Sequence, residues 1–174
     1  MTVAEFEQFI ETYERDVFTF CKYLAINQDT ASDLYQETIL AAFEMIARID
    51  TTNNPKSFLL AIAAGKWKNM RRKIQRRQNI APETPLEAWS NTSLLGENPT
   101  ADAAQNAALQ QAVHKAIAEL KDKFRIPLIL HYFDDYPTET IATICNIPTG
   151  TVKSRLHKAR ILVKKSMERS GVHE

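Results

Sequence analysis

The sequence predicts an all-α protein of two small helical domains joined by a flexible linker, the second a helix-turn-helix. Three observations carry this. Apolar residues recur every three to four positions through most of the chain, the period of an amphipathic helix. Glycine is scarce, four in 174 residues, and alternating β-branched runs are few, which leaves little to build hairpins from. Residues 79–100 break the helical pattern with Pro82, Pro85, Pro99 and Gly96 among Ser, Thr and Asn, the composition of a connection. The expected division is therefore 1–78, a linker over 79–100, and 101–174. The linker also holds Trp89, Leu94 and Leu95, which is apolar for a free tether.

Each helix has its own signature. Thr2 and Glu5 form a capping-box pattern, followed at helical spacing by Phe6, Phe9, Ile10, Tyr13, Val17, Phe20 and Leu24. Residues 27–29 are a break with capping residues. A second helix is expected to about Arg48, with Ala31, Leu34, Ala41, Met45 and Ile49 on its apolar stripe. A loop over 49–53 leads to Asn54-Pro55, a cap followed by proline at the first helical position. The third helix, 56–77, has Phe58, Leu59, Ile62, Ala63, Met70 and Ile74 as core candidates. Past the linker, an Ala- and Gln-rich helix runs to Leu120. Phe124, Leu128, Ile129, Tyr132 and Phe133 mark another, in which Pro127 is tolerable only near the start.

Residues 138–144 then form a short amphipathic segment, and Cys145-Asn146-Ile147 a turn. Asn146 suits a left-handed backbone better than most residues. Pro148 sets up the last helix, where Thr149 and Thr151 can supply capping hydroxyls. This is the layout of a helix-turn-helix. Val152, Leu156, Ala159, Leu162 and Val163 form the inward stripe of the last helix. From Thr149 to Arg169 there are seven basic residues against one acid, Glu168. Such a helix can enter a major groove and be held by phosphates, although basic residues opposite a core stripe are often only a solvated face.

The net charge of +1 hides a strong division. Residues 1–54 carry 3 basic and 10 acidic side chains, and 55–80 carry 8 basic and none acidic. Residues 81–119 carry 1 and 5, and 120–174 carry 10 and 6. Two basic surfaces, separated by an acidic stretch, suit a partner with two phosphate-rich contact regions.

Several function classes are excluded on the sequence. No window is long and apolar enough to cross a membrane, and the acidic, amphipathic start MTVAEFEQFIETYERD is not a signal peptide. Cys21 and Cys145 lie inside helical apolar patterns and read as reduced, buried thiols of a cytoplasmic protein, a disulfide between them being the alternative. His114, His131, His157 and His173 lack metal-ligand spacing. There is no Gly-rich phosphate loop, nucleophile elbow or paired carboxylate site, so neither an enzyme nor a cofactor is expected.

Two further surfaces stand out. Asp33, Glu37, Leu40 and Glu44 fall at i, i+4, i+7 and i+11, with Gln36 beside them. This is either a solvated face or a docking face for a basic protein surface, anchored by Leu40. On the third helix Lys66, Lys68, Arg71, Arg72, Lys73, Arg76 and Arg77 surround Trp67 and Met70. Phosphates can meet these cations, and bases can stack on the aromatic. Trp67 reads equally well as a core residue.

With these motifs together, the chain resembles the extracytoplasmic-function sigma factors of bacteria, along nearly its whole length. IPTGTVKSRLHKAR is similar to the family's recognition helix, DLYQETILAAF to its polymerase-binding helix, and PKSFLLAIAAGKWKNMRRKIQRR to its promoter-melting helix. The resemblance implies an alternative sigma factor that directs promoter recognition, DNA melting and transcription initiation. The implied partners are core RNA polymerase (clamp coiled coil and flap), promoter DNA and, for many members, an anti-sigma factor. Asp33, Leu34, Gln36, Glu37 and Leu40 would meet the polymerase. The loop with Asn53 and Asn54 would capture a flipped base of the minus-10 element, beside Lys66, Trp67, Lys68, Arg71, Arg72 and Arg76. Thr149, Thr151, Lys153, Ser154, Arg155, His157, Lys158 and Arg160 would meet the minus-35 element. The linker would thread through the polymerase.

This sequence departs from the family pattern at Phe58, usually Trp, at Gly65, usually Asn, and at Asn69, usually Asp. The downstream-element preference therefore does not carry over. Pro137 replaces a capping Ser, which leaves Thr138 to cap. The alternative is a free-standing, dimeric helix-turn-helix regulator. The C-terminal half alone would allow it, but such a regulator gives the acidic strip and the third helix no task.

Overall fold

The computed structural model describes residues 2–25, 27–80 and 101–171. Among these the elements are α1 (Val3–Leu24), α2 (Gln28–Glu44), a 3-10 turn (Ile46–Arg48), α3 (Pro55–Ile80), α4 (Ala101–Ala118), α5 (Asp122–Tyr132), α6 (Thr138–Cys145) and α7 (Thr149–Arg169). The linker, Trp89 included, and the side chain of Arg77 lie outside the described residues. The chain divides into two compact units, one over Met1–Ser90 with Thr143–Asn146, the other over Asn91–Ala142 and Ile147–Glu174.

In the first unit α1, α2 and α3 pack on one another. The capping box forms as expected: Glu5 N–H donates to Thr2 Oγ1 and Thr2 N–H to Glu5 Oε2. The Thr2 N–H first, and then the Thr2 hydroxyl, hold the exposed Glu5 carboxyl below its usual range. Asn27 caps α2, its Oδ1 accepting from Thr30 N–H at 2.8 Å. The second helix ends at Glu44 rather than Arg48, because the backbone tightens there into the 3-10 turn. Phe6, Phe9, Val17, Phe20, Leu24, Leu34, Leu59, Leu60, Ala63 and Trp67 form the core. Each large apolar side chain so buried contributes about 1.5–3 kcal/mol. Cys21 is free and buried, and desolvation pushes its thiol up to about 12.

In the second unit α7 packs against α4 and α5. Ile117, Leu120, Ile126, Ile129, Leu130, Val152, Leu156 and Ala159 are buried. Pro127 lies inside α5, not near its start. It is itself buried, and the one backbone bond its ring removes is outweighed by the apolar residues packed around it. Arg125 is also buried. Its guanidinium pairs with Asp122 one turn earlier, which such a charge requires in an apolar interior. At the far end of α7, Glu119 Oε2 accepts from Ser166 Oγ at 2.7 Å and from Arg169 at 3.4 Å, fastening the helix tail to the end of α4.

Candidate nucleic-acid interface

The outward face of α2 is acidic with an apolar centre. Asp33, Gln36 and Glu37 are exposed, and Leu40 is 65% exposed. Leu34 is different. It is 0% exposed, so it cannot touch a docking partner, and the implied contact is corrected to a packing role. Its place on the apolar stripe already pointed there. Phe43 was missed: it is 44% exposed beside the strip, its ring set edge-on to Phe6 at 5.3 Å. The clue was its spacing three residues after Leu40.

The loop before α3 is built by side chains that fold back on the backbone. Asp50 Oδ1 accepts from Thr52 Oγ1 at 2.6 Å and from Thr52 N–H at 2.9 Å. These bonds, the hydroxyl's first, hold the Asp50 carboxyl below its usual range. Asn54 adopts φ +50, a left-handed conformation that Asn tolerates. It caps α3 through Ser57, whose N–H donates to Asn54 Oδ1 and whose Oγ donates to Asn54 O. Thr51, Thr52, Asn53 and Asn54 are left exposed.

Along α3, Trp67 is 0% exposed and belongs to the core. Of the two readings of its ring, the core one holds, and that of a stacking platform for bases is corrected. Arg71 lies over its ring with the guanidinium carbon 5.8 Å from the centroid. Lys66 Nζ reaches Glu37 Oε2 on α2 at 3.8 Å, and Arg72 donates to Asn69 Oδ1 at 2.9 Å. Lys66, Lys68 and Arg71 are half-buried, while Arg72 and Arg76 are exposed. Gly65 is exposed, and a Cβ there would meet nothing within 4 Å.

The helix-turn-helix has the expected turn. Asn146 sits at φ +53. Its N–H donates to Thr143 O at 3.2 Å, and Ile147 N–H donates to Ala142 O at 3.0 Å. Those two bonds are a Schellman ending, which stops α6 with a left-handed residue. The expected caps are not made. Pro148 is the N-cap of α7 with no side-chain bond, and Ser154 Oγ donates to Thr151 O instead. Proline has no side-chain oxygen to offer, and Thr149 and Thr151 are already inside the helix. Thr138 likewise opens α6 as its first residue and donates to Glu139 Oε1 at 3.0 Å.

On α7 the two faces separate cleanly. Val152, Leu156 and Ala159 are buried, whereas Lys153, Ser154, His157, Lys158 and Arg160 are exposed, with Thr149, Thr151 and Arg155 half-buried. Tyr132 and Phe133, two of the apolar residues that marked this helix in the sequence, are exposed on the end of α5.

Residues 9–77 match the family described as Sigma-70 region 2, and residues 110–162 match Sigma-70, region 4. The ECF RNA polymerase sigma factor SigC of Mycobacterium tuberculosis is 30% identical over 154 residues, 88% of this chain and 78% of that one. The chain belongs to the ECF sigma factors. The SigW sigma factor of Bacillus subtilis is 27% identical over 166 residues, covering 93% of this chain and 88% of its own. Among solved structures, the sigma factor RpoE of Bartonella quintana, crystallised with the anti-sigma factor NepR, shares the fold. Its TM-score is 0.77 at 23% identity, covering 95% of this chain and 98% of that one. This sigma factor is an initiation subunit: it binds core RNA polymerase and promoter DNA and directs promoter recognition and transcription initiation. Among the described residues, no helix is long and apolar enough to cross a membrane, and no His, Cys, Asp and Glu group could hold a metal.

Proposed function

We propose that the sigma factor works through three surfaces on two domains, 1–78 and 101–174, joined by the linker 79–100. Asp33, Gln36, Glu37 and Leu40 meet the clamp coiled coil of core RNA polymerase, and the C-terminal domain lies at the flap. The loop carrying Asn53 and Asn54 takes up a flipped base of the minus-10 element, and Lys66, Lys68, Arg71, Arg72 and Arg76 attract the opened strands. Thr149, Thr151, Lys153, Ser154, Arg155, His157, Lys158 and Arg160 meet the minus-35 element. The chain has no active site of its own and acts in the cytoplasm, where it lends address and strand opening to the polymerase. An anti-sigma factor is a further proposed partner.

The observation that carries this reading is Leu40. Among the described residues it is the most exposed large apolar side chain, and it stands in the middle of an acidic strip. A free-standing DNA-binding regulator gives such a strip no task. The direct test is run-off transcription with core polymerase on a genomic fragment library. Specific transcripts that require both components support the proposal and reveal the promoter motif. Tight sequence-specific binding by the purified chain alone, as a dimer, would favour the free-standing regulator.

A further inference from the structure

Tyr132 ends α5 and is 51% exposed. Its hydroxyl accepts a 2.7 Å hydrogen bond from Arg160 Nε on α7, 28 positions away in sequence. The guanidinium carbon lies 5.6 Å from the Tyr132 ring centroid. Arg160 has no other partner among the described residues. A guanidinium held at Nε keeps its two terminal nitrogens for a second acceptor, and that edge matches a phosphate.

The register of α7 says which acceptor it meets. Arg160 follows Lys153 by two turns on the same edge of the helix, about 10.5 Å farther along the axis. The major groove is about 12 Å wide. A helix that enters the groove by its first turns has therefore reached a phosphate strand, and left the base edges, at the depth of Arg160.

We infer that Tyr132 is a positioning residue that fixes Arg160 as a clamp on one DNA phosphate, not as a reader of a base. The inference rests on the proposed docking of α7 on the upstream element. A pre-set arginine has less rotamer freedom to lose when the phosphate arrives, so the tyrosine hydroxyl contributes to affinity without touching DNA.

Holoenzyme assembled from core polymerase and each variant tests this on promoter duplexes. Affinity is measured across a salt series, and upstream elements are selected from a randomised pool. Tyr132→Phe keeps the ring and removes the hydroxyl. It should weaken binding roughly threefold to tenfold, leave the selected sequence unchanged, and leave the melting temperature of the free subunit unchanged. Arg160→Ala should lower the salt slope by about one, again with no change in sequence. Adding Tyr132→Phe to it should change nothing more. Additive losses, or a changed preference at one base in Arg160→Ala, would overturn the inference. Lys153→Ala is the control. If it also leaves the selected sequence unchanged, the docking of α7 on the upstream element is what fails, and the inference falls with it.

Discussion

Helices α3 and α7 carry much of the positive charge, and they use it differently. On α3 the cations near the bundle are tied to the protein: Lys56 to Asp16 at 2.9 Å, Lys66 to Glu37 at 3.8 Å, Arg71 across Trp67 and Arg72 to Asn69. On α7, Lys153, Lys158, Lys164 and Lys165 are exposed and make no ion pair among the described residues. A run of basic residues thus has two meanings. One helix neutralises part of its charge against its own fold, and the other holds nearly all of it out to a partner.

Stability should separate the two most widely. Trp67→Ala on α3 should cost about 3–5 kcal/mol, as a buried aromatic truncation does. Lys153→Ala on α7 should stay within about 0.5 kcal/mol. Denaturant unfolding measures both, and a Trp67→Ala protein as stable as the parent would break the contrast.

The same logic splits two leucines on α2. Leu34→Ala should cost about 2–5 kcal/mol. Leu40→Arg should leave stability within about 0.5 kcal/mol while weakening association with core polymerase roughly tenfold or more. Loss of fold in Leu40→Arg would make it a core residue, and undiminished polymerase affinity would remove the docking face.

Much of this was legible in the sequence because local rules wrote it. The capping box at Thr2 and Glu5, the caps at Asn27 and Asn54 and the turn at Asn146 depend on residues within a few positions, and all are present in the structure. What local spacing could not decide was which apolar residues on a mixed face point inward. Trp67 stands among lysines and arginines, yet α1 and α2 pack against its helix and bury it. Tyr132 and Phe133 continue the apolar run at the end of α5, yet both are exposed, Tyr132 even while it meets Arg160 of α7. The Tyr132–Arg160 bond spans 28 residues, and nothing in the pattern of either helix announces it.

DNA reading sharpens the comparison along α7 itself. Lys153→Ala or Ser154→Ala should relax preference at one upstream base by about 1–3 kcal/mol. Lys164→Ala should weaken all sequences alike and lower the salt slope by about one. Selection from a randomised pool reads the first and salt titration the second. An altered sequence from Lys164→Ala alone would mean that the helix docks in the opposite sense.

The smallest expected effect returns to α3. Gly65 is an exposed glycine in a helix interior, with open space where a Cβ would stand. Gly65→Ala should raise stability by about 0.5–1 kcal/mol, seen as a higher denaturant midpoint with an unchanged slope. A loss of stability would mean that the open space is not there.

The separation of faces on α7 has an evolutionary consequence. Val152, Leu156 and Ala159 hold the helix in place, and none of them points outward. Gly150, Lys153, Ser154 and His157 are exposed, and a Cβ at Gly150 would meet no neighbour. If these residues read the promoter as proposed, its address can be rewritten, letter by letter, without passing through a sequence that fails to fold. Two descendants of one such chain can come to switch on different sets of targets while sharing a single scaffold.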